Sequence, residues 1–189
     1  NTAWVYPGGL GLQRDYYLDQ DTMSEEIREQ YTNHVARMLG FVGYNDEDAA
    51  NAAKRILELE TKLAKPRLDK VQSRDIRNFN NPRTIKELSA MTPLIDWDKF
   101  TKDLGVAAPL ESVLVMQPTY MAALNTFLTN TSIDDIKTLM TWSTIDNAAG
   151  YLTTEIETAN WEFYSKTLNG SKAQREAEER ALGTVNGSV

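Results

Sequence analysis

The stretch around which this sequence is organised is Gly9-Leu10-Gly11-Leu12-Gln13-Arg14-Asp15-Tyr16-Tyr17. It follows a short apolar run, Ala3 to Tyr6, which Pro7 interrupts, and it precedes a long series of helix-forming segments. The apolar run is typical of a strand end, and the proline and glycines after it are typical of a turn. From this pattern we predict that residues 14–18 form a short turn that places two tyrosine rings on the core.

Length and composition set the class of protein. A chain of 189 residues fits one domain, or at most two small ones, and buries a sizeable core without disulfides or metal. The net charge of −7 argues against nucleic acid or an anionic membrane as the main partner, because both favour clustered Lys and Arg. No run approaches the roughly 18 apolar residues of a membrane span. The chain starts without a signal-peptide pattern or an initiating Met, so we expect a processed or excised piece.

Capping signals and apolar periodicity predict helices over most of the chain. Behind Thr22, apolar residues recur at steps of three and four, which makes one apolar helix face. The predicted helix starts are capping boxes at Thr22–Glu25, Thr84–Glu87 and Ser171–Gln174, and N-caps at Asn45 or Asp46, at Ser132, and at Thr153 or Thr154. In the polar segment after Arg67 we predict a short helix and then a loop at Asn78–Pro82.

A single apolar run in the interior of the chain predicts a β-strand. Ser112–Met116 is short, partly β-branched, and bounded by Pro109 and Pro118. A lone strand needs a partner, and Ala3 to Tyr6 is the only obvious candidate. The predicted fold class is therefore mainly α, a multi-helix domain of about seven or eight helices with one short β-strand pair, in a single helical lobe over residues 1–189.

The residue types argue against a metal site in this chain. His34 is the only histidine and there are no cysteines, so cysteine-based sites, thiol catalysis and a His-Glu-x-x-His pair are all impossible. We interpret His34 as a partly buried structural residue at the margin of an apolar helix face. The acidic run Asn45–Asp48 lacks the alternation and central glycine of a calcium loop and is interpreted as a helix N-terminus. We predict no catalytic, cofactor-binding or metal-binding residue here.

Glu60 is the most unusual position in the chain. It falls on the apolar stripe of its helix, one turn after Ile56 and one before Ala64. A carboxylate there has to be paired or lie at an interface. We predict a buried ion pair with Arg14 or Arg74, because an unpaired buried charge costs several kcal/mol. Half of a catalytic acid pair is the alternative.

The glycines of Gly8-Gly9-Leu10-Gly11 raise the question of a phosphate-binding loop. Such a loop ends in Gly-Lys-Ser/Thr, and a dinucleotide fold needs a strand, a helix and a later acidic residue. Neither pattern follows here, so the segment is predicted to be a turn.

Six blocks in order resemble the neprilysin and endothelin-converting-enzyme family of zinc metallopeptidases. They are Gly9–Tyr17, Ile56–Ala64, Arg74-Asp75 with Phe79-Asn80, Thr84–Leu88 with Pro93–Trp97, Val113–Pro118 with Tyr120 and Leu124-Asn125, and Phe163-Tyr164 with Leu168–Gly170. The chain departs from the family pattern at two places. Gln13 stands where the family usually has Pro, and Glu178 or Glu179 stands where the family has a Trp before its Arg-Ala pair.

The resemblance implies a role. In the family this region belongs to the smaller, mainly helical lobe that faces a thermolysin-like zinc lobe, and together they enclose a chamber that admits peptides. The zinc motif lies beyond residue 189 in relatives, so the resemblance implies that this piece alone is inactive and that its partners are the catalytic lobe and oligopeptides. It also implies an extracytoplasmic location, periplasmic or cell-envelope associated in a bacterium. The absence of cysteines favours a bacterial origin, since animal members of the family are disulfide-bonded.

Two other hypotheses stay open at this point. The chain is long enough for its own core and carries a full set of caps, which suits a free-standing helical protein-binding module. A weaker alternative is a hydrolase that uses Glu60 in a carboxylate pair.

Overall fold

A computed structural model of the chain describes residues 3–106 and 110–188. Within them nine α-helices and three short β-strands follow one another, which confirms the mainly α fold class. The elements are β1 Ala3–Val5, α1 Arg14–Leu18, α2 Thr22–Gly40, α3 Asp46–Ala64, β2 Pro82–Thr84, α4 Ile85–Met91, α5 Trp97–Asp103, β3 Ser112–Val115, α6 Pro118–Asn130, α7 Ile133–Ala148, α8 Thr154–Trp161 and α9 Ala177–Ser188.

The larger core lies between α1, α2, α3, α7 and α8. Helices α2 and α3 pack along each other, and α1 and α7 cover them. The apolar stripe predicted behind Thr22 is the buried face of α2, because residues three and four apart share one side of a helix. The largest fully buried side chains of this core are Tyr31, Val35, Met38, Leu39, Ile56 and Trp142.

The smaller core lies between the sheet and helices α4, α5 and α6. It contains Leu88, Trp97, Val113, Val115, Tyr120 and Met121. Trp97 donates its indole N–H to the Thr92 hydroxyl at 2.8 Å, so the one polar atom of that ring is satisfied inside the core.

The sheet has one strand more than the predicted pair. The predicted partners pair in parallel, with Ala3 opposite Val113 and Val5 opposite Val115. β2 pairs with the other edge of β3 in the antiparallel sense, over residues predicted in part as loop. Pro82 is tolerated there because β2 is an edge strand. Pro109, the predicted boundary before β3, lies outside the described residues.

The helix starts are mostly as predicted. Asn45, Thr84 and Ser132 are N-caps, and Thr84 and Glu87 form the expected capping box. The cap of α2 is Asp21, one residue earlier than predicted, because its carboxylate accepts hydrogen bonds from both the amide and the hydroxyl of Ser24.

Three local predictions need correction. Residues 14–18 form the short helix α1 and not a turn, and the short helix expected after Arg67 is two 3₁₀ turns, Gln72–Arg74 and Ile76–Asn78. The predicted capping box at Ser171 is wrong, and α9 begins only at Ala177. The amide of Ser171 instead donates to the carbonyl of Ser165 at 2.9 Å, which closes the π-helix Glu162–Leu168 that continues α8.

Candidate functional site

The buried carboxylate of Glu60 lies at the centre of the larger core, and polar groups from four parts of the chain converge on it. Oε2 accepts the hydroxyl of Tyr31 at 2.5 Å and that of Tyr17 at 2.9 Å. Oε1 accepts the backbone amide of Gly11 at 3.2 Å. Helices α1, α2 and α3 and the glycine-rich segment are therefore tied together at one side chain, which is 3% exposed.

A second layer of donors supports the two tyrosines. The indole N–H of Trp142 donates to the Tyr31 hydroxyl at 2.9 Å, and the amide of Leu12 donates to the Tyr17 hydroxyl at 2.9 Å. Each hydroxyl therefore accepts one bond and donates another. The Tyr31 ring also packs edge-on against Trp142, with ring centroids 5.9 Å apart. We name Gly11, Tyr17, Tyr31, Glu60 and Trp142 the Glu60 cluster.

Gly11 is required by this geometry. A Cβ atom at this position would lie 1.9 Å from the Tyr31 hydroxyl oxygen, far inside any permitted contact. The Gly-Leu-Gly-Leu segment thus approaches the core closely enough for its amides to reach Glu60 and Tyr17. In this fold the glycines of the segment let its backbone pack closely on the side chains of the core. They do not form a phosphate-binding loop.

The predicted ion pair of Glu60 is wrong. Arg14 donates instead to the carbonyl of Arg67 at 3.0 Å and to Asp15 at 3.2 Å, and Arg74 is exposed. Three neutral donors take the place of the cation, and phenolic hydroxyls in a dry core are strong partners for a carboxylate. Burial raises the pKa of Glu60, and the bonds from Tyr31, Tyr17 and Gly11 counter part of that rise.

A second carboxylate, which the sequence did not single out, lies within electrostatic reach of Glu60. The pKa of Asp146 is raised to about 6: burial is the main cause, the nearby Tyr164 hydroxyl offsets part of the rise, and the charge of Glu60 adds to it. Asp146 Oδ1 and the Tyr164 oxygen are buried without a hydrogen-bond partner of regular geometry among the described residues. Asp146 lies on α7 between Ile145 and Asn147, where no helical pattern marks it as inward-facing.

His34 lies in an aromatic box. Its ring stacks on Phe163, with centroids 4.7 Å apart and planes at 11°, and meets Trp142 and Tyr164 edge-on. Burial and, to a smaller extent, the nearby Arg37 cation lower its pKa to about 4. Among the described residues its Nε2 has no hydrogen-bond partner, so the ring is a neutral packing element.

The chemistry open to the Glu60 cluster is limited by its closure. Both carboxylate oxygens are occupied and the side chains around them are buried, so a substrate has no route to Glu60. Across residues 3–106 and 110–188, no three His, Cys, Asp or Glu side chains come together as metal ligands would. The same residues include no helix with the length and apolar character needed to cross a membrane.

Comparison with known proteins assigns the chain to a family. The N-terminal family model of peptidase family M13 matches residues 1–189. This chain belongs to peptidase family M13. The predicted membership of the endothelin-converting-enzyme family is thereby confirmed, and M13 is a family of zinc metallopeptidases.

Curated relatives of this M13 chain are endothelin-converting enzymes. Endothelin-converting enzyme 1 of Mus musculus is 27% identical over 177 residues, which cover 91% of this chain and 23% of the relative. The endothelin-converting enzyme homolog of Locusta migratoria is 26% identical over 176 residues. The chain therefore spans about a quarter of the length of the relatives it matches.

Solved structures of M13 proteins share the fold. Zinc metalloprotease Zmp1 of Mycobacterium tuberculosis, in its open state, superposes with a TM-score of 0.89 at 32% identity, over 96% of this chain and 28% of Zmp1. PepO of Lactobacillus rhamnosis matches with a TM-score of 0.79 at 16% identity, a likeness of fold alone.

The residues of this M13 chain do not fit the zinc ion of its family. Its one imidazole is enclosed by three aromatic rings, and Glu60, its most buried carboxylate, is saturated with hydrogen bonds. No step of a zinc mechanism is therefore assigned to this chain.

Proposed function

We propose that this chain is the non-catalytic helical lobe of an M13 zinc endopeptidase. In the whole protein, a separate zinc lobe hydrolyses peptide bonds of oligopeptides. The helical lobe forms part of the wall of the chamber that admits those peptides. Its partners are then the catalytic lobe and the peptides that pass it.

One observation carries this proposal. The chain superposes along 96% of its length on a zinc metalloprotease, yet it covers only 28% of that protein. A chain that matches over nearly its whole length, and whose described residues include no cluster of metal ligands, fits a lobe better than a whole enzyme. The closed Glu60 cluster agrees with this role, because it fixes four segments of the wall and exposes no reactive group.

Exposed apolar side chains give further support. Val42, in the turn after α2, and Met140, on α7, line one groove of about 420 Å³ together with Ile145. Val42 and Met140 are both exposed in this chain. Apolar surface of this kind is what a lobe keeps for contact with the rest of its protein.

The location proposed for the whole protein is extracytoplasmic, in a bacterium. Support comes from the bacterial source of the Zmp1 and PepO structures and from the absence of cysteine in all 189 residues. A secreted domain of this size has core enough to fold without disulfides.

The chamber role is tested on the longer product of the same gene. One substrate is a flexible peptide of about ten residues, and the other is the same sequence displayed in a surface loop of a stable folded protein. A chamber wall predicts cleavage of the free peptide and protection of the displayed copy, restored when the carrier protein is unfolded. Equal cleavage of both would contradict the chamber-wall role.

A further inference from the structure

A cleft of about 590 Å³ separates the segment around Arg14 from the segment that follows α3. Its cationic lining residues are Arg14, Arg67, Lys70 and Arg74, and Asp15 is its single carboxylate. On a chain of net charge −7, four cations around one carboxylate make a local positive surface. The Glu60 cluster does not use any of these side chains.

Two of the cations are held in place by the backbone. Arg14 Nε donates to the carbonyl of Arg67 at 3.0 Å, and Arg67 Nη2 donates to the carbonyl of Gly8 at 2.7 Å. The Arg67 guanidinium carbon also lies 5.2 Å from the ring centroid of Tyr120, in cation–π contact. Both guanidinium groups are therefore pre-positioned before any ligand arrives.

These contacts leave donors unused. A guanidinium carries five N–H groups, and the bonds above, with the Arg14 Nη1 bond to Asp15, occupy only two on Arg14 and one on Arg67. Arg67 Nε has no hydrogen-bond partner among the described residues but is buried, so a ligand binds the terminal nitrogens of this side chain. A fixed guanidinium with free N–H groups suits a carboxylate, which it binds through two parallel bonds.

The rim of the cleft adds two exposed cations, Lys70 and Arg74. Lys70 lies 3.3 Å from Asp15 Oδ2, and Asp15 also binds Arg14, so one carboxylate is shared between two cations. Arg74 is exposed and forms no ion pair within the described part of the chain. Beside these charges the lining includes Leu10, Leu12 and Leu68, which offer apolar surface to a neighbouring side chain.

We propose that this cleft binds the carboxylate of a peptide, with Arg67 and Arg74 as its main contacts. The inference rests on the proposed function, because a lobe that lines a peptide chamber meets such groups. The carboxylate comes from an acidic side chain or from the peptide C-terminus, since both present the same two oxygens. The site gives the enzyme a preference for acidic peptides at a position outside the zinc lobe.

The test measures peptide binding to the 189-residue chain by fluorescence anisotropy at low salt. Four rhodamine-labelled peptides of one sequence are compared, with two central Glu or two central Gln, each with a free or an amidated C-terminus. We expect the doubly neutral peptide to bind at least about tenfold more weakly than the most acidic one. The two singly changed peptides identify the source of the carboxylate.

Variants locate the site. Arg67→Gln and Arg74→Gln are each expected to weaken binding of the acidic peptide about fivefold or more. Arg77→Gln is the matched control, since it removes the same charge three residues from Arg74. The Arg77 side chain is held by Asp75 through Nε and Nη2, and it does not line the cleft. A thermal melt of each variant, with Arg67→Lys as a milder substitution, separates loss of binding from loss of fold.

The results that overturn the proposal are specific. Equal binding of acidic and neutral peptides would refute it, and so would equal effects of Arg74→Gln and Arg77→Gln. Phosphate that binds the chain while the acidic peptide does not would reassign the cleft to phosphate. Because binding is measured without catalysis, a longer gene product that lacks zinc or activity would refute the proposed function and leave this measurement intact.

Discussion

The hydroxyl of Tyr31 donates to the carboxylate of Glu60 at 2.5 Å, and this contact joins α2 to α3 at the centre of the larger core. Both side chains are buried, at 0% and 3% exposure. A buried carboxylate is tolerated when its lone pairs are satisfied, and three donors meet Glu60. The stability of this chain should therefore depend on this one polar centre.

Replacing Glu60 by Gln should destabilise the chain by about 2–4 kcal/mol. The amide nitrogen of Gln donates, so it would face Gly11 N–H or the tyrosine hydroxyls, which also donate. Urea unfolding measures the loss. Glu58→Gln, two residues away with an exposed side chain, is the control and should change the free energy of unfolding by less than about 0.5 kcal/mol. Equal effects of the two substitutions would refute the role assigned to Glu60.

Gly11→Ala should cost about 2 kcal/mol or more, because the new Cβ would lie 1.9 Å from the Tyr31 hydroxyl oxygen. Movement of Tyr31 would break its bonds to Glu60 and Trp142 together. Gly9→Ala is the matched control, since nothing lies within 4 Å of a Cβ there. The two melting temperatures give the comparison, and a Gly11→Ala protein as stable as Gly9→Ala would contradict the close approach.

Asp146 should make stability fall as pH rises from about 4 to 6. Its pKa is raised from 3.8 to about 6 by burial, so the folded state binds the proton more tightly than the unfolded state in that window. The favourable contribution is present below pH 3.8 and lost by about pH 6. The free energy of unfolding of Asp146→Asn, relative to that of the wild type, should therefore increase by about 1–2 kcal/mol between pH 4 and pH 6. This figure allows for the partial exposure of the side chain.

Urea titrations at closely spaced pH values measure this difference. His34 has the opposite trend, because its pKa is lowered from 6.5 to about 4, so its stabilising effect is lost as pH falls from 6.5. That trend is present in both proteins and cancels in their difference. A difference that stays flat between pH 4 and 6 would show that Asp146 is not buried as described.

The bidentate pair between Arg55 and Asp135 should contribute measurably to the packing of α3 on α7. Arg55 Nε and Nη2 lie 2.8 and 2.6 Å from the two Asp135 oxygens. A double-mutant cycle with Arg55→Gln and Asp135→Asn should give a coupling energy of about 0.5–1 kcal/mol. The more exposed Lys137–Asp134 pair, within one helix, is the control and should couple more weakly. A larger coupling in the control pair would be the contrary result.

Much of the fold follows from local signals in the sequence. The Asn45, Thr84 and Ser132 caps were predictable because each side chain bonds an amide only three residues away. The pairing of β1 with β3 followed from there being no other apolar partner. β2 escaped prediction because Pro82 and polar neighbours resemble a loop, and only the edge of β3 makes them a strand.

The site was harder to predict, because its partners are distant in sequence. The periodicity around Ile56 correctly placed Glu60 in the core, but no local pattern identifies Tyr31, 29 residues away, as its donor. A general rule that buried carboxylates need cations led to Arg14, whereas hydroxyl and amide donors met the same requirement. Asp146 was missed because the Tyr164 hydroxyl that lies near it is distant in sequence, on the π-helix Glu162–Leu168 that follows α8.

The most direct test of the lobe assignment compares bound zinc and peptide hydrolysis in two proteins. One is this 189-residue chain, and the other is the product of the same gene read onward past Val189. The account predicts zinc and hydrolysis in the longer protein, with neither in the shorter one. A reading frame that stops at Val189, or a longer protein without zinc, would contradict it and favour a free-standing binding module.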